Sequence, residues 1–187
     1  NDVNKVLGAL AVVTDDKKDK VEGEAKFIRG AVYFDLVRVF AKAWNDGTPS
    51  SNAGVPLVLT ATTDISEASQ VARNTVAEVY AQAISDLTEA ESKLPEDNGF
   101  FADKAAAAGM LARIYLQQGD YTKAADAANR SINYALDIDK GLTASYADAF
   151  PLGDEGNTTE DIFAIQVTSS SGYNGFQDFY SADGRGD

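Results

Sequence analysis

The stretch from Gly23 to Phe40, GEAKFIRGAVYFDLVRVF, constrains the fold more than any other part of this chain. It is too long and too unbroken to be a strand. Phe27, Ile28, Ala31, Phe34 and Val37 or Arg38 follow the i, i+3, i+4, i+7 spacing of a helix. Val32, Tyr33, Leu36, Val39 and Phe40 add apolar groups on the remaining faces. A helix that is apolar nearly all round is a buried one. The expectation is therefore a central helix over 20–43 with other helices packed on several sides of it.

The rest of the sequence supplies candidates for those neighbours. Residues 1–13 carry Val3, Val6, Leu7, Leu10 and Val13 at helical spacing. The run Thr14 to Lys20 is charged and reads as a solvated connector. Thr75-Val76-Ala77-Glu78 is a capping box, a hydroxyl at the N-cap and a glutamate three residues on. It predicts a helix to Leu94, with Val76, Val79, Tyr80, Ala83, Leu87, Ala90 and Leu94 on one face and Pro95 as its stop. Asp103 can cap a further helix over Lys104 to Gln118. Gly119-Asp120 breaks that helix, the glycine suiting a left-handed C-cap and the aspartate the next N-cap, and a helix from Tyr121 to about Leu136 follows.

Two regions lack this character. Residues 44–72 form a long insertion, dense in turn formers over 45–52 and extended over Gly54 to Leu59, where Pro56 disfavours helix. Residues 141–187 are rich in loop formers. Within them Asp161 to Thr168 alternates, with Phe163, Ile165 and Val167 on one face, and predicts a strand.

Composition removes several function classes. The chain has 187 residues and a net charge of −13, so nucleic-acid binding, which rests on Lys and Arg at phosphates, is not expected. It contains no Cys and no His, which removes disulfides, the usual zinc sites and Ser-His triads. No apolar run approaches the ~18 residues that a spanning helix needs. There is no Gly-rich phosphate loop, and no cofactor is expected. Asn1 and the polar tail 181–187 read as the ends of a piece of a longer protein.

Leu111, Ala112, Tyr115 and Ala124, with Ala128 in phase, look like a tetratricopeptide repeat. The small residues at 112 and 124 let two antiparallel helices approach, and Tyr115 fills the space between neighbouring pairs. A degenerate copy places Gly30 and Tyr33 in a first helix and Ala83, Leu87, Ala90 and Pro95 in a second, with the insertion between them. So long an insertion requires that the pair be held by more than a local hairpin. Phe27, Phe34, Ala83 and Leu87 join these residues as the expected core.

Several words of the chain, taken in order, resemble those of the SusD/RagB family of Bacteroidetes nutrient-binding lipoproteins. They are Glu24 to Gly30, Tyr33 to Val37, Gly54 to Val58, Arg73 to Tyr80, Asp86-Leu87, Leu94-Pro95, Ala105 to Leu116, Gly119 to Tyr121 and Glu160 to Phe163. Gly30 departs from the alanine usual there. The resemblance implies a mainly α fold of tetratricopeptide-like helix pairs with long irregular insertions and one or two short strands, a single SusD-like helical domain over 1–187 with its repeat core at 20–140. It implies a protein of the outer-membrane surface, lipid-anchored at full length. It implies capture of a glycan ligand and its delivery to a SusC-like TonB-dependent transporter.

A sugar site needs aromatic faces for pyranose rings and polar side chains for hydroxyls. Two clusters offer both: Trp44 beside Asn45 and Asp46, and the stretch Tyr173 to Tyr180. Trp44, Asn45, Tyr173, Asn174 and Tyr180 are the candidate contacts. In the plainer reading Trp44 staples the helix end and the tail aromatics cover core. Asp137 to Gly141 begins like a calcium loop but lacks a third early ligand and reads as a helix-end turn. Asp35 and Arg38 read as an ion pair. The functions left open are a non-enzymatic glycan-binding protein, a protein-binding helical scaffold and, well behind, a glycoside hydrolase.

Overall fold

The structure, a computed structural model, describes residues 1–64, 71–150 and 157–166. Helix α1 (Asp2–Gly8) passes through a 3-10 turn (Leu10–Val12) into α2 (Asp15–Phe40). After the insertion come α3 (Val76–Lys93), α4 (Lys104–Gln118) and α5 (Tyr121–Leu136), then a second 3-10 turn (Tyr146–Ala149). Helix α1 rests on α2, α2 packs along α3, α3 on α4, and α4 on α5. The helices thus pair as the two repeats predict, α2 with α3 across the insertion and α4 with α5 across Gly119.

The local signals act as read. Thr75 Oγ1 accepts the Glu78 amide at 3.2 Å while the Glu78 carboxylate accepts the Thr75 amide at 2.8 Å. Asp103 accepts the Ala106 amide at 2.7 Å, and Asp120 the Lys123 amide at 3.1 Å. Gly119 sits at φ 76°, the left-handed conformation that closes α4. Every residue predicted for the inner face of α3 is buried.

Helix α2 differs from expectation in two ways. It starts at Asp15, so the charged run is its first turns rather than a connector. Asp15 and Asp16 face the positive end of the helix dipole, and Asp19 reaches Lys93 of α3 at 2.9 Å. Nor is α2 covered all round. Gly23, Phe27, Gly30, Phe34 and Val37 form one buried stripe, whereas Val32 and Phe40 are at least half exposed. The pairing with α3 is close because of glycine. A Cβ on Gly30 would lie 2.8 Å from Leu87 Cγ and 3.0 Å from the Ala83 carbonyl oxygen.

In the second pair Leu111, Ile114, Ala124 and Ala127 are buried, while Ala112 and Tyr115 are half-buried and packed against that core. Ser131 donates to the Ala105 carbonyl at 2.8 Å and locks α5 to α4.

The predicted strand does not form over 161–166, and 167–168 lie outside the described residues. A strand needs a partner edge. The backbone bond that reaches another segment from there is Ala164 N–H to Phe100 O, 3.2 Å. Phe163 instead packs edge-on against Phe27, ring centroids 5.0 Å apart, and Ile165 is exposed.

The insertion is closed at its base. Gly54 N–H donates to Asn74 O at 2.6 Å, Asn74 N–H to Val55 O at 3.2 Å, and Val76 N–H to Asn52 O at 2.9 Å. Arg73 donates to the Phe40 carbonyl at 2.8 Å, capping the C-terminal end of α2, and also to Gly54 O. The middle of the insertion is pinned by Tyr33. Its hydroxyl accepts the Val58 amide at 2.7 Å and donates to the Val58 carbonyl at 2.9 Å.

Candidate functional site

Helices α2 and α4, with the start of the insertion and the start of α5, line a cleft of about 470 Å³. Helix α2 contributes Phe34 and Arg38, and the start of the insertion contributes Asn45. Helix α4 contributes Arg113, Leu116, Gln117 and Gln118, and α5 opens with Tyr121. Gly119 makes this possible, since its left-handed turn reverses the chain and sets Tyr121 beside the last turn of α4.

The lining has the chemistry of a polyol site. Tyr121 is 71 % exposed and offers an aromatic face. Asn45, Gln117 and Gln118 carry amide donors and acceptors. Arg38 lies over the Phe34 ring at 5.1 Å and meets Asp35 at 3.3 Å, the pair expected from their spacing. Arg113 contacts the Met110 sulfur at 3.7 Å and makes no ion pair among the described residues. No Asp or Glu is among the described lining residues.

The sequence-derived candidates separate. Asn45 is exposed and lines the cleft. Trp44 is half-buried, its ring 4.8 Å from Tyr80, which in turn packs edge-on to Phe34 at 5.8 Å. Burial pushes the Tyr80 phenol above its ordinary pKa, consistent with an enclosed, neutral ring beneath Trp44. This is the stapling geometry, and Trp44 is not among the cleft's described lining residues. Tyr173, Asn174 and Tyr180 lie outside the described residues. Arg113, Gln117 and Tyr121 went unread because each sits on an exposed face of an ordinary helix. Only the turn at Gly119 gathers them against Asn45.

Asp137 to Gly141 ends α5 as a turn. Asp139 stands at φ 58°, and Lys140 N–H returns to Ala135 O at 2.9 Å. The Lys140 ammonium lies 3.5 Å from Asp103 and donates to Gly99 O at 2.9 Å. Burial pushes the Asp103 carboxyl above its ordinary value, opposed by the Ala106 amide and Lys140. These groups serve the joint between α4 and α5.

Residues 1–116 match a SusD-like family model described as starch-binding and associating with the outer membrane. A SusD-like protein P2 of Formosa agariphila is 31% identical over 177 residues, 91% of this chain but 33% of that protein. A SusD superfamily structure from Bacteroides thetaiotaomicron aligns with TM-score 0.61 at 30% identity, over 70% of this chain and 28% of that one. The crystal structure of a Bacteroides vulgatus protein, provisionally named for sugar binding, aligns over 100% of this chain and 43% of its own, with TM-score 0.84 at 27% identity. The chain thus spans about a third of the curated relative's length. With a SusD-like family model matched over residues 1–116, more than half of its length, the chain belongs to the SusD-like family.

Proposed function

We propose that this protein binds a glycan, without hydrolysing it, in the cleft between α2, α4 and the start of α5. The observation that carries the reading is the lining itself: an exposed Tyr121 ring in one cleft with Asn45, Gln117, Gln118 and Arg113. An aromatic face covers the apolar side of a pyranose, and amides and guanidinium meet its hydroxyls. Family membership supports it, as does the likeness to a laminarin-binding SusD-like protein, TM-score 0.55 at 25% identity over 67% of this chain and 26% of that one. Glycosidases of the common kind use two carboxylates across the scissile bond. The described lining offers none, which supports binding over hydrolysis.

In this reading the full-length protein sits at the outer-membrane surface, lipid-anchored, and hands its ligand to a SusC-like TonB-dependent transporter. Trp44 braces the segment that presents Asn45, and Tyr173, Asn174 and Tyr180 are further candidate contacts. Isothermal titration of the full-length protein against a polysaccharide panel tests it. Binding that falls about fivefold or more on Tyr121→Ala is expected, from the loss of an aromatic stacking face worth ~1 kcal/mol or more. Retention of full affinity by that variant moves the site elsewhere. Failure to bind any glycan, with capture of a protein partner, replaces the reading by a helical scaffold.

A further inference from the structure

The cleft's charge is opposite to that of the protein around it. The chain carries −13 overall, with 29 acidic residues against 16 basic ones. Yet the described lining of this cleft holds two arginines and no carboxylate. The carboxylates next in sequence each face a cation: Asp35 meets Arg38 at 3.3 Å, Asp120 meets Lys123 at 2.7 Å, and Asp46 meets Lys42 at 4.0 Å. Arg113 is different. Its side chain is exposed, and its recorded contact is a weak one to the Met110 sulfur. A guanidinium with no ion pair among the described residues, in a lining that also holds neutral amides, is a fork that fits a carboxylate or a sulfate.

We propose that the ligand is an anionic polysaccharide, one bearing uronate carboxylates or sulfate esters, with Arg113 as the residue that reads the charge. This rests on the cleft being the glycan site. Arg38 adds a second, weaker positive centre, because it shares its charge with Asp35. Asn45 and Gln117 take the neighbouring hydroxyls, and Tyr121 the sugar face. The surrounding negative charge does not forbid this. At physiological ionic strength exposed charges more than ~8 Å apart are largely screened, and the nearer carboxylates Asp35, Asp46 and Asp120 each face a cation of their own. A neutral glucan would offer Arg113 only hydroxyl acceptors, not the charged pair its fork fits.

The test is a titration of the full-length protein against four polymers: laminarin as the neutral glucan, polygalacturonate and alginate as carboxylated polymers, and carrageenan as a sulfated one. The expected result is binding to at least one anionic polymer at least tenfold tighter than to laminarin. Its affinity should fall as salt is raised from 50 to 500 mM. Preference for the carboxylated or the sulfated arm identifies the charged group. Arg113→Gln should lose about tenfold or more for the anionic polymer and clearly less for laminarin, whose hydroxyls give the guanidinium only neutral acceptors. An equal loss on both overturns the charge assignment. Arg113→Lys should keep the salt dependence and recover part of the loss, as a point charge without the fork. Equal or tighter binding to laminarin overturns the charge assignment and leaves the glycan reading standing. Absence of binding to all four overturns the charge assignment, and extending that silence to a full neutral panel overturns the glycan reading as well.

Discussion

Asp86 shows how much one residue can hold. It is 1 % exposed, and Arg29 grips it with two bonds, Nε to Oδ2 at 2.8 Å and Nη2 to Oδ1 at 2.7 Å. The hydrogen bonds of Asp86 hold the Arg29 guanidinium's pKa above its ordinary value, against desolvation. Arg29 then donates to Asn4 Oδ1 at 3.1 Å, and the Asn4 amide donates to Val58 O at 2.7 Å. Helices α1, α2 and α3 and the insertion therefore meet in one polar cluster inside the fold. Asp86→Ala leaves Arg29 half-enclosed without its counter-ion. It should cost about 2–4 kcal/mol, at or just under the range for breaking a buried pair, because Arg29 keeps Asn4. Urea denaturation of Asp86→Ala, Arg29→Met and the double variant checks this. The double variant should be less destabilised than the sum of the single ones. Strict additivity would mean that the pair is not coupled.

At the scale of helices, the α2–α3 seam has an apolar half and an ionic half. The apolar half rests on Gly23 and Gly30 meeting Leu94, Leu87 and Ala83. The ionic half links Glu22 to Lys26 at 2.9 Å and to Lys93 at 3.1 Å, with Asp19 also on Lys93 and Glu89 on Lys26. Desolvation raises the Glu22 pKa, but hydrogen bonds from Lys26 and Lys93 outweigh it and hold it below its ordinary value. Lys93 is held above its own value by Asp19 and Glu22. A lowered carboxylate contributes stability above its unfolded pKa, near 4.3, and loses it as pH falls through the folded one. A raised lysine contributes below ~10.4 and loses it as pH rises through its folded value. The seam should hold its full strength between about pH 5 and 10. Melting temperature should drop from pH 5 to pH 3, and Glu22→Gln should make that drop shallower while lowering the melting temperature at pH 7. An identical acid limb in the variant would remove Glu22 from the account.

For the whole molecule, the question is how a helix pair survives having some thirty-five residues between its members, Ala41 to Thr75. Closing a loop costs little more as it lengthens, about 0.6 kcal/mol per doubling. The base clip at 52–55 and 74–76 and the Tyr33–Val58 bonds offset that cost. The insertion should therefore unfold with the core and not before it. Trp44, the only tryptophan, sits on Tyr80 and reports this. Its fluorescence and the far-UV circular dichroism should change together in urea. In Tyr33→Phe, which removes two hydrogen bonds of about 1 kcal/mol each, the middle of the insertion should become susceptible to protease in native buffer. Protection equal to the parent's would assign the insertion's order to other contacts.

The capping box at Thr75, the caps at Asp103 and Asp120, the left-handed Gly119 and the inner face of α3 were all legible, because each depends on residues within a turn or two. The start of α2 was misread because Asp15 to Lys20 looked like solvent-facing charge. It is such charge, but on a helix whose Asp19 finds Lys93 far along the chain. Alternation over 161–168 read as a strand, yet over the described 161–166 no neighbouring edge pairs with it. The stripe of α2 that stays exposed, the Arg29–Asp86–Asn4 cluster and the cleft that joins Asn45 to Arg113 and Tyr121 are tertiary decisions. Local pattern determines which residues form a helix and which of its faces is apolar. Which apolar face meets which, and which polar side chains arrive at one place, depends on packing between segments tens of residues apart. For this protein, local pattern carried the architecture and packing decided the candidate site.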